Sequence, residues 1–554
     1  MPPKTKNLIK PKGKFKARTQ DPQSENDFLE AADEFEQAAG KWRAGDVVKA
    51  TRFFNRAIDM YDAGLKRWPK SFDLAYNKAN LEFKMSEDDR IVAQLGNKIT
   101  LLEETLKSHR VAIGLDPDNT DVLFNTAQVL TSMAEALLEN TSQQNAKTPA
   151  GTLLEEAVEL FTKCLARQQH EYEEMQLELA KAEASQDFQE DAAAERARSE
   201  KPSGDDSMET ASTDSDSPGE YATVVEPVTP EALLETCTAQ LGALTTLLGL
   251  YDPADLATIE PKAQFGLETA NTKIPTLINL LANSPFSRPA EEPSAGPTLS
   301  IAAPATVEPS TTPKDDALLA TANFQASLAE IAYRSGRTTA AQYLDAIDAL
   351  FAPLMQSPDN DNNNGSFNAA AANALSAHAD ALIDLASAVT DSPTYPPTPK
   401  CAPLLDAQWT ALTRAQTLLT TLSTAPYTAH LPPSRLAAIY LARGDANLFR
   451  FRLAHFEAAK SAWVKSRSVL GGNAGVFYRG ARMYAEKAGL DEVRRTAEAK
   501  AVVAEVLREV AVGTGVRRDE WMGKGGEVRR VLEMMVEEGV VGRGDAEMVA
   551  GWME

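Results

Sequence analysis

The side chains best suited to chemistry are scattered through this chain of 554 residues. Its five histidines are His109, His170, His378, His430 and His455, and none falls in HExxH or another metal-ligand spacing. The three cysteines, Cys164, Cys237 and Cys401, form no CxxC pair, so neither a zinc site nor a disulfide framework is expected, and a reducing compartment is. A glycine-rich stretch at 513–526, GTGVRRDEWMGKGG, has the look of a phosphate loop. However, Gly523-Lys524 is followed by Gly525 where Ser or Thr is needed, Arg518 replaces the first glycine, and no strand precedes it. Arg-Gly-Asp occurs at 443–445 and 543–545, and without a secretion signal both read as chance. No nucleophile, base and orienting partner come together in the pattern. The expectation is a protein without catalysis, metal or cofactor.

Charge is the more informative chemistry. The formal net charge is −23, which favours basic partners and argues against a general nucleic-acid-binding surface. The opposite sign is concentrated in the first twenty residues, where Lys4, Lys6, Lys10, Lys12, Lys14, Lys16 and Arg18 alternate with Pro and Gly. Such an arm does not hold a helix. It reads as a nuclear-import signal, a contact to nucleic acid or ribosome, or a solvated tail, and the sequence leaves these open. Residues 171–226 hold 17 acids against four bases, a net −13. Ser203, Thr213 and Ser217 each have an acid three residues on, the pattern of acidophilic phosphorylation sites, where phosphate would add further charge. Nuclear and cytoplasmic locations both fit. No run of about 18 apolar residues is present, so no membrane span is expected.

The elements that position these residues read as helices throughout, with almost no alternating strand pattern. They come in pairs. Residues 26–45 pair with 46–68, broken at Gly45-Asp46 and ended by Pro69; 71–85 pair with 94–117; 120–139 pair with a helix beginning near Gly151. The expected organisation is a basic disordered arm (1–25), helical repeats (26–170), an acidic disordered insertion (171–228), a helical continuation (229–284), a Pro/Ala linker (285–314), further helical repeats (315–512), and a Gly-rich loop with short C-terminal helices (513–554). The insertion is expected to be disordered because its second half buries too little apolar area to offset chain entropy.

Within the pairs a packing signature recurs. KATRFFNRAI places Ala50, Phe54 and Ala57 at spacings of four and three, and EAVELFTKCL repeats this with Ala157, Phe161 and Cys164. Small residues let two helix backbones approach, and an aromatic one turn on fills the groove beside them. Ala112 and Pro117 in VAIGLDPDN mark the end of a second such helix, and Ala127 follows in the next first helix. This pattern resembles the tetratricopeptide repeat (TPR) over residues 30–170 and more loosely over 315–510, where Ala459, Trp463 and Ser466 match weakly. The resemblance implies an all-α, TPR-like helical-repeat superhelix. Thr105 and His109 depart from it by replacing a small and an aromatic residue. The sequence also resembles fungal TPR proteins, and its acidic interruption is architecturally similar to the interrupted-TPR histone chaperones related to the nuclear autoantigenic sperm protein.

The TPR resemblance raises two binding modes. A clamp for acidic C-termini needs charge-assisted donors on three first helices. Asn77-Lys78 supplies one position, but Glu34, Gln37, Asn125 and Gln128 supply no further cation, which disfavours that mode. Phe35 with Trp42, and Tyr76 with Phe83, are spaced seven apart, and core packing is the favoured reading over a peptide groove. The functional expectation is a protein-binding adaptor or chaperone for a basic client such as a histone or ribosomal protein. The alternative is a scaffold subunit of a larger complex. Oligomeric state is not readable from the sequence.

Overall fold

The computed structural model describes residues 22–140, 143–199, 228–283, 311–355, 367–392, 395, 402–513 and 525–553. The chain divides into two compact units, Met1–Leu153 and Leu154–Glu554. Among the described residues it is all-α, with no strand, and helices adjacent in sequence pack on one another as in a helical-repeat protein.

In the first unit, α1 (Glu25–Arg43) opens with a capping box: Ser24 Oγ accepts from Asp27 N (3.2 Å) while the Asp27 carboxylate accepts from Ser24 N (3.0 Å). Asp46 caps α2 (Val47–Arg67), which ends just before Trp68-Pro69, and Ser71 caps α3 (Phe72–Ser86). The segment 94–117, expected as one helix, is divided between α4 (Asp89–Leu95) and α5 (Lys98–Leu115). Gly96 takes φ +126°, a conformation side chains disfavour, and Asn97 then caps the new helix through Ile99 N at 2.8 Å. Then follows α6 (Thr120–Asn140), and Pro117 lies exposed in the turn before it.

The α1/α2 crossing is built from small residues. Ala32, Ala39, Ala50 and Ala57 have no solvent exposure, and Phe54 and Tyr61 fill the space beside them. Burying such an aromatic contributes about 1.5–3 kcal/mol. Gly64 extends the same logic: a Cβ there would stand 2.9 Å from Leu74 and 3.2 Å from Phe28.

The boundary between units falls within α7 (Gln143–Ser199), where Ala157, Phe161 and Cys164 are fully buried. This helix corrects the expected disordered insertion, since 171–199 is helical. The segment is rich in Glu, Ala, Gln and Lys, all good helix formers, and i,i+4 pairs such as Arg167–Glu171 (2.8 Å) support it. Residues 200–227 lie outside the described residues.

The second unit continues with α8 (Pro230–Leu250), α9 (Leu256–Glu268), a π turn at Thr269–Lys273 and α10 (Ile274–Asn283). Pro261 is a helix breaker by propensity, yet it lies within α9. Asp255 caps the helix six residues earlier and the proline is carried inside it. Among the described residues α8 is the one helix long and apolar enough to cross a membrane, and more than half of its most apolar window is buried inside the protein. A polar ladder fixes its register: Thr236 donates to Gln168 (2.8 Å), Gln240 donates to Thr162 (3.0 Å), and Thr269 donates to Gln240 (3.1 Å).

Next come α11 (Pro313–Arg334), α12 (Ala340–Phe351) and α13 (Ala369–Thr390), started by Thr312, Thr339 and Asn368 as N-caps. They are followed by α14 (Ala402–Leu422), the short α15 (Tyr427–His430), α16 (Pro433–Leu453), α17 (Ser461–Ala488), α18 (Asp491–Val512), α19 (Gly525–Glu537) and α20 (Arg543–Met553). The helix α17 runs unbroken through Gly471-Gly472. The Phe451 ring packs 3.3 Å from where a Cβ at Gly471 would be. Small-against-large contacts recur here in another form, with Tyr478 over Gly444 and Tyr440 over Gly480. Trp463 of the weakest repeat match stacks on Trp409 at 4.3 Å.

Candidate binding groove

Four helices of the second unit wall a cavity of about 400 Å³. α8 contributes Thr245, Thr246 and Gly249, α11 contributes Asn323, Ser327 and Glu330, α12 contributes Tyr343, and α13 contributes Asp380 and Asp384. No lysine or arginine is among the lining residues. Asp380 and Asp384 are one helical turn apart, so their carboxylates project from the same face. Glu330 is held by Arg334, whose Nε donates to it at 2.6 Å while Nη1 reaches Asp391 at 2.6 Å. Among the described residues neither Asp380 nor Asp384 has a hydrogen bond or ion pair.

Both aspartates are solvent-exposed, although packed helices surround the groove that they line. Enclosure disfavours their charged forms. It pushes the Asp384 carboxyl up to about 7, with the negative charges of Glu330 and Asp380 adding to the effect. Asp380 is raised to about 6 by the same loss of solvent, with Arg435 opposing. Tyr343 is 2% exposed, its ring stacks on Tyr333 (centroids 5.8 Å apart), and its hydroxyl has no hydrogen-bond partner among the described residues. Burial first, and then Glu330 and Asp384, raise its pKa above the ordinary phenol range. The groove therefore gathers carboxylate and hydroxyl oxygens with no lining base, which suits a cation carrying several N–H donors.

The sequence reading passed over these residues. One signal was present: α13 is an Ala/Leu-rich helix whose two groove acids have no lysine or arginine on the same helix to balance them. The other residues singled out in the sequence have structural surroundings. His109 is fully buried, edge-on to Phe83, with Nδ1 3.0 Å from the Thr105 carbonyl, and desolvation lowers its pKa. Thr105 is buried and donates to the Leu101 carbonyl at 2.8 Å. Ala112 and Ala127 are fully buried, as are Cys164 and Cys237. Lys78 is engaged by Asp62 (2.7 Å) and Glu82 (3.6 Å), and Asn125 donates to Tyr76 Oη at 2.9 Å. Trp42 departs from the expected core reading: it is 41% exposed and carries the Lys49 ammonium 3.1 Å above its ring. The Arg-Gly-Asp at 443–445 is an internal part of α16. Asp445 accepts from Tyr478 Oη (2.7 Å) and from the buried Lys500 Nζ (2.9 Å), which also reaches Glu538 at 3.4 Å. Lys4 through Arg18, and Ser203, Thr213 and Ser217, lie outside the described residues. Among the described residues no group of three His, Cys, Asp or Glu is arranged to hold a metal ion.

No known family model matches the chain. It is similar to UPF0656 protein C926.02 of Schizosaccharomyces pombe, at 28% identity over 110 residues, 20% of this chain and 24% of that protein. The chain thus matches about a quarter of the length of this curated relative. Among solved structures it is similar to a circular tandem repeat protein with novel repeat topology and enhanced subunit contact surfaces. That likeness has a TM-score of 0.26 and 13% identity, covering 96% of this chain and 99% of the other. A score that low supports no transfer of topology.

Proposed function

We propose that the chain is a non-enzymatic adaptor or chaperone of the tetratricopeptide type, which holds a basic segment of a client such as a histone or ribosomal protein. The observation that carries this reading is the groove between α8, α11 and α13, with two unpaired carboxylates, a third held in place by Arg334, and no lining base. Like charges one turn apart destabilise an empty helix, and a cationic side chain between them turns that repulsion into attraction. The acidic stretch 171–226 acts at longer range. Its net −13 steers basic proteins toward the chain, while the fixed carboxylates hold them. The spacing of Ala50, Phe54 and Ala57, repeated at Ala157, Phe161 and Cys164, supports the tetratricopeptide assignment.

Full-length protein titrated with a core histone tests this. Binding is expected to fall steeply as salt rises to about 0.5 M. Asp380→Asn with Asp384→Asn should speed dissociation, and deletion of 171–226 should slow association. Binding unchanged by salt, by the double variant and by the deletion would refute an electrostatic groove. No binding to any basic partner would leave the chain as a scaffold subunit.

A further inference from the structure

We infer that the groove reads arginine: a guanidinium presented by an extended basic segment sits among the carboxylates of Asp380 and Asp384 and the phenolic oxygen of Tyr343. This rests on the basic-client reading above and narrows it to one side chain.

Three observations carry it. The first is Tyr343. Its side chain is 98% removed from solvent, yet its hydroxyl oxygen is not sealed off and the residue lines the cavity. With no hydrogen-bond partner among the described residues, that oxygen is free to accept from a donor that enters the cavity. The second is the spread of acceptors. Asp380 and Asp384 stand a full turn apart on α13, while Tyr343 comes from α12. A guanidinium carries five N–H donors in a planar fork and can serve separated acceptors at once; an ammonium places three donors on one atom. The third is the cavity itself. A guanidinium is more weakly hydrated than an ammonium, so it loses less on leaving bulk water for a helix-lined cleft. The cavity of about 400 Å³ is larger than a guanidinium head and leaves room for flanking main chain near Asn323 and Ser327.

The test uses full-length protein, a short Gly/Ser peptide with spaced arginines, and its lysine twin of equal charge. Calorimetric titration is expected to give the arginine peptide about tenfold tighter binding, the advantage of multidentate charge-assisted hydrogen bonds. Dimethylation of the arginines keeps the charge and removes donors, and should bring affinity down to that of lysine. Tyr343→Phe should shrink the arginine advantage while lysine affinity stays the same. Equal affinities for the twin peptides, or an advantage untouched by both methylation and Tyr343→Phe, would overturn the inference and leave the basic-client reading in place. Failure of both peptides to bind would overturn both. The methylated peptide is used on the unaltered chain, so it decides the question even if Tyr343→Phe disturbs folding.

Discussion

Asp384→Asn should stabilise the second unit, and by an amount that depends on pH. The folded chain holds the Asp384 proton with a pKa of about 7, against 3.8 for an unperturbed aspartate. Because the folded-state value is raised, the ionised form opposes folding. The penalty is absent below pH 3.8, grows as pH rises through the window between the two values, and is complete above about 7. Taken at face value the shift corresponds to about 4 kcal/mol. The side chain touches water, however, and solvent and salt screen its repulsion from Glu330 and Asp380, so about 1 kcal/mol is the expected magnitude. Asparagine keeps the shape and removes the charge. In a unit of this size that gain raises Tm by about 2 °C. Scanning calorimetry of wild type and variant from about pH 4 to 8 gives the difference between the two melting curves, in which other titrating groups such as His378 largely cancel. The difference should be near zero at the acid end and largest above pH 7. A variant that melts with or below wild type at pH 7.5, or a gain of the same size at every pH, would refute the electrostatic account of the groove.

Other perturbations probe the packing and the arm. Ala50→Trp and Ala157→Trp place a large side chain at fully buried positions and should each cost about 1–3 kcal/mol or more; a wild-type melting curve for either would mean that the helix crossings are misplaced. Lys500→Met strands the carboxylates of Asp445 and Glu538 and should cost about 3–5 kcal/mol in denaturant unfolding, and removing one of the two charges with Asp445→Asn in the same chain should recover part of it. Replacing Lys4, Lys6, Lys10, Lys12, Lys14, Lys16 and Arg18 with Ser should shift a tagged chain out of the nucleus or off ribosomes; unchanged distribution and sedimentation would identify the arm as a solvated tail.

Much of the fold was legible because helix signals are local. Asp46 caps α2 at the break that Gly45-Asp46 marks in the sequence, and alternating small and large residues identified the α1/α2 crossing. Pro261 and Gly471-Gly472 are breakers by propensity, and tertiary packing overrode them: Phe451 makes use of the space at Gly471. At 171–199 composition suggested an acidic insertion, but its Glu, Ala and Gln residues are also good helix formers, and local propensity carried α7 to Ser199.

The groove was not legible, and its chemistry explains why. Asp380 and Asp384 read as surface acids of a helix, Tyr343 reads as a core aromatic, and Glu330 reads as half of an i,i+4 pair with Arg334. Each description is correct locally. What makes them a site is that α8, α11, α12 and α13 enclose them together, and enclosure is a long-range property that no spacing along one helix encodes. It also changes what each residue does. An acid alone on an open helix is nearly neutral in its effect on stability, whereas loss of solvent among neighbouring helices and the charge of other acids raise the pKa of Asp380 and Asp384. The proposed ligand adds positive charge where Asp380, Asp384 and Glu330 gather and a donor where the Tyr343 hydroxyl opens to the cavity, so one guanidinium would answer to acceptors drawn from three helices.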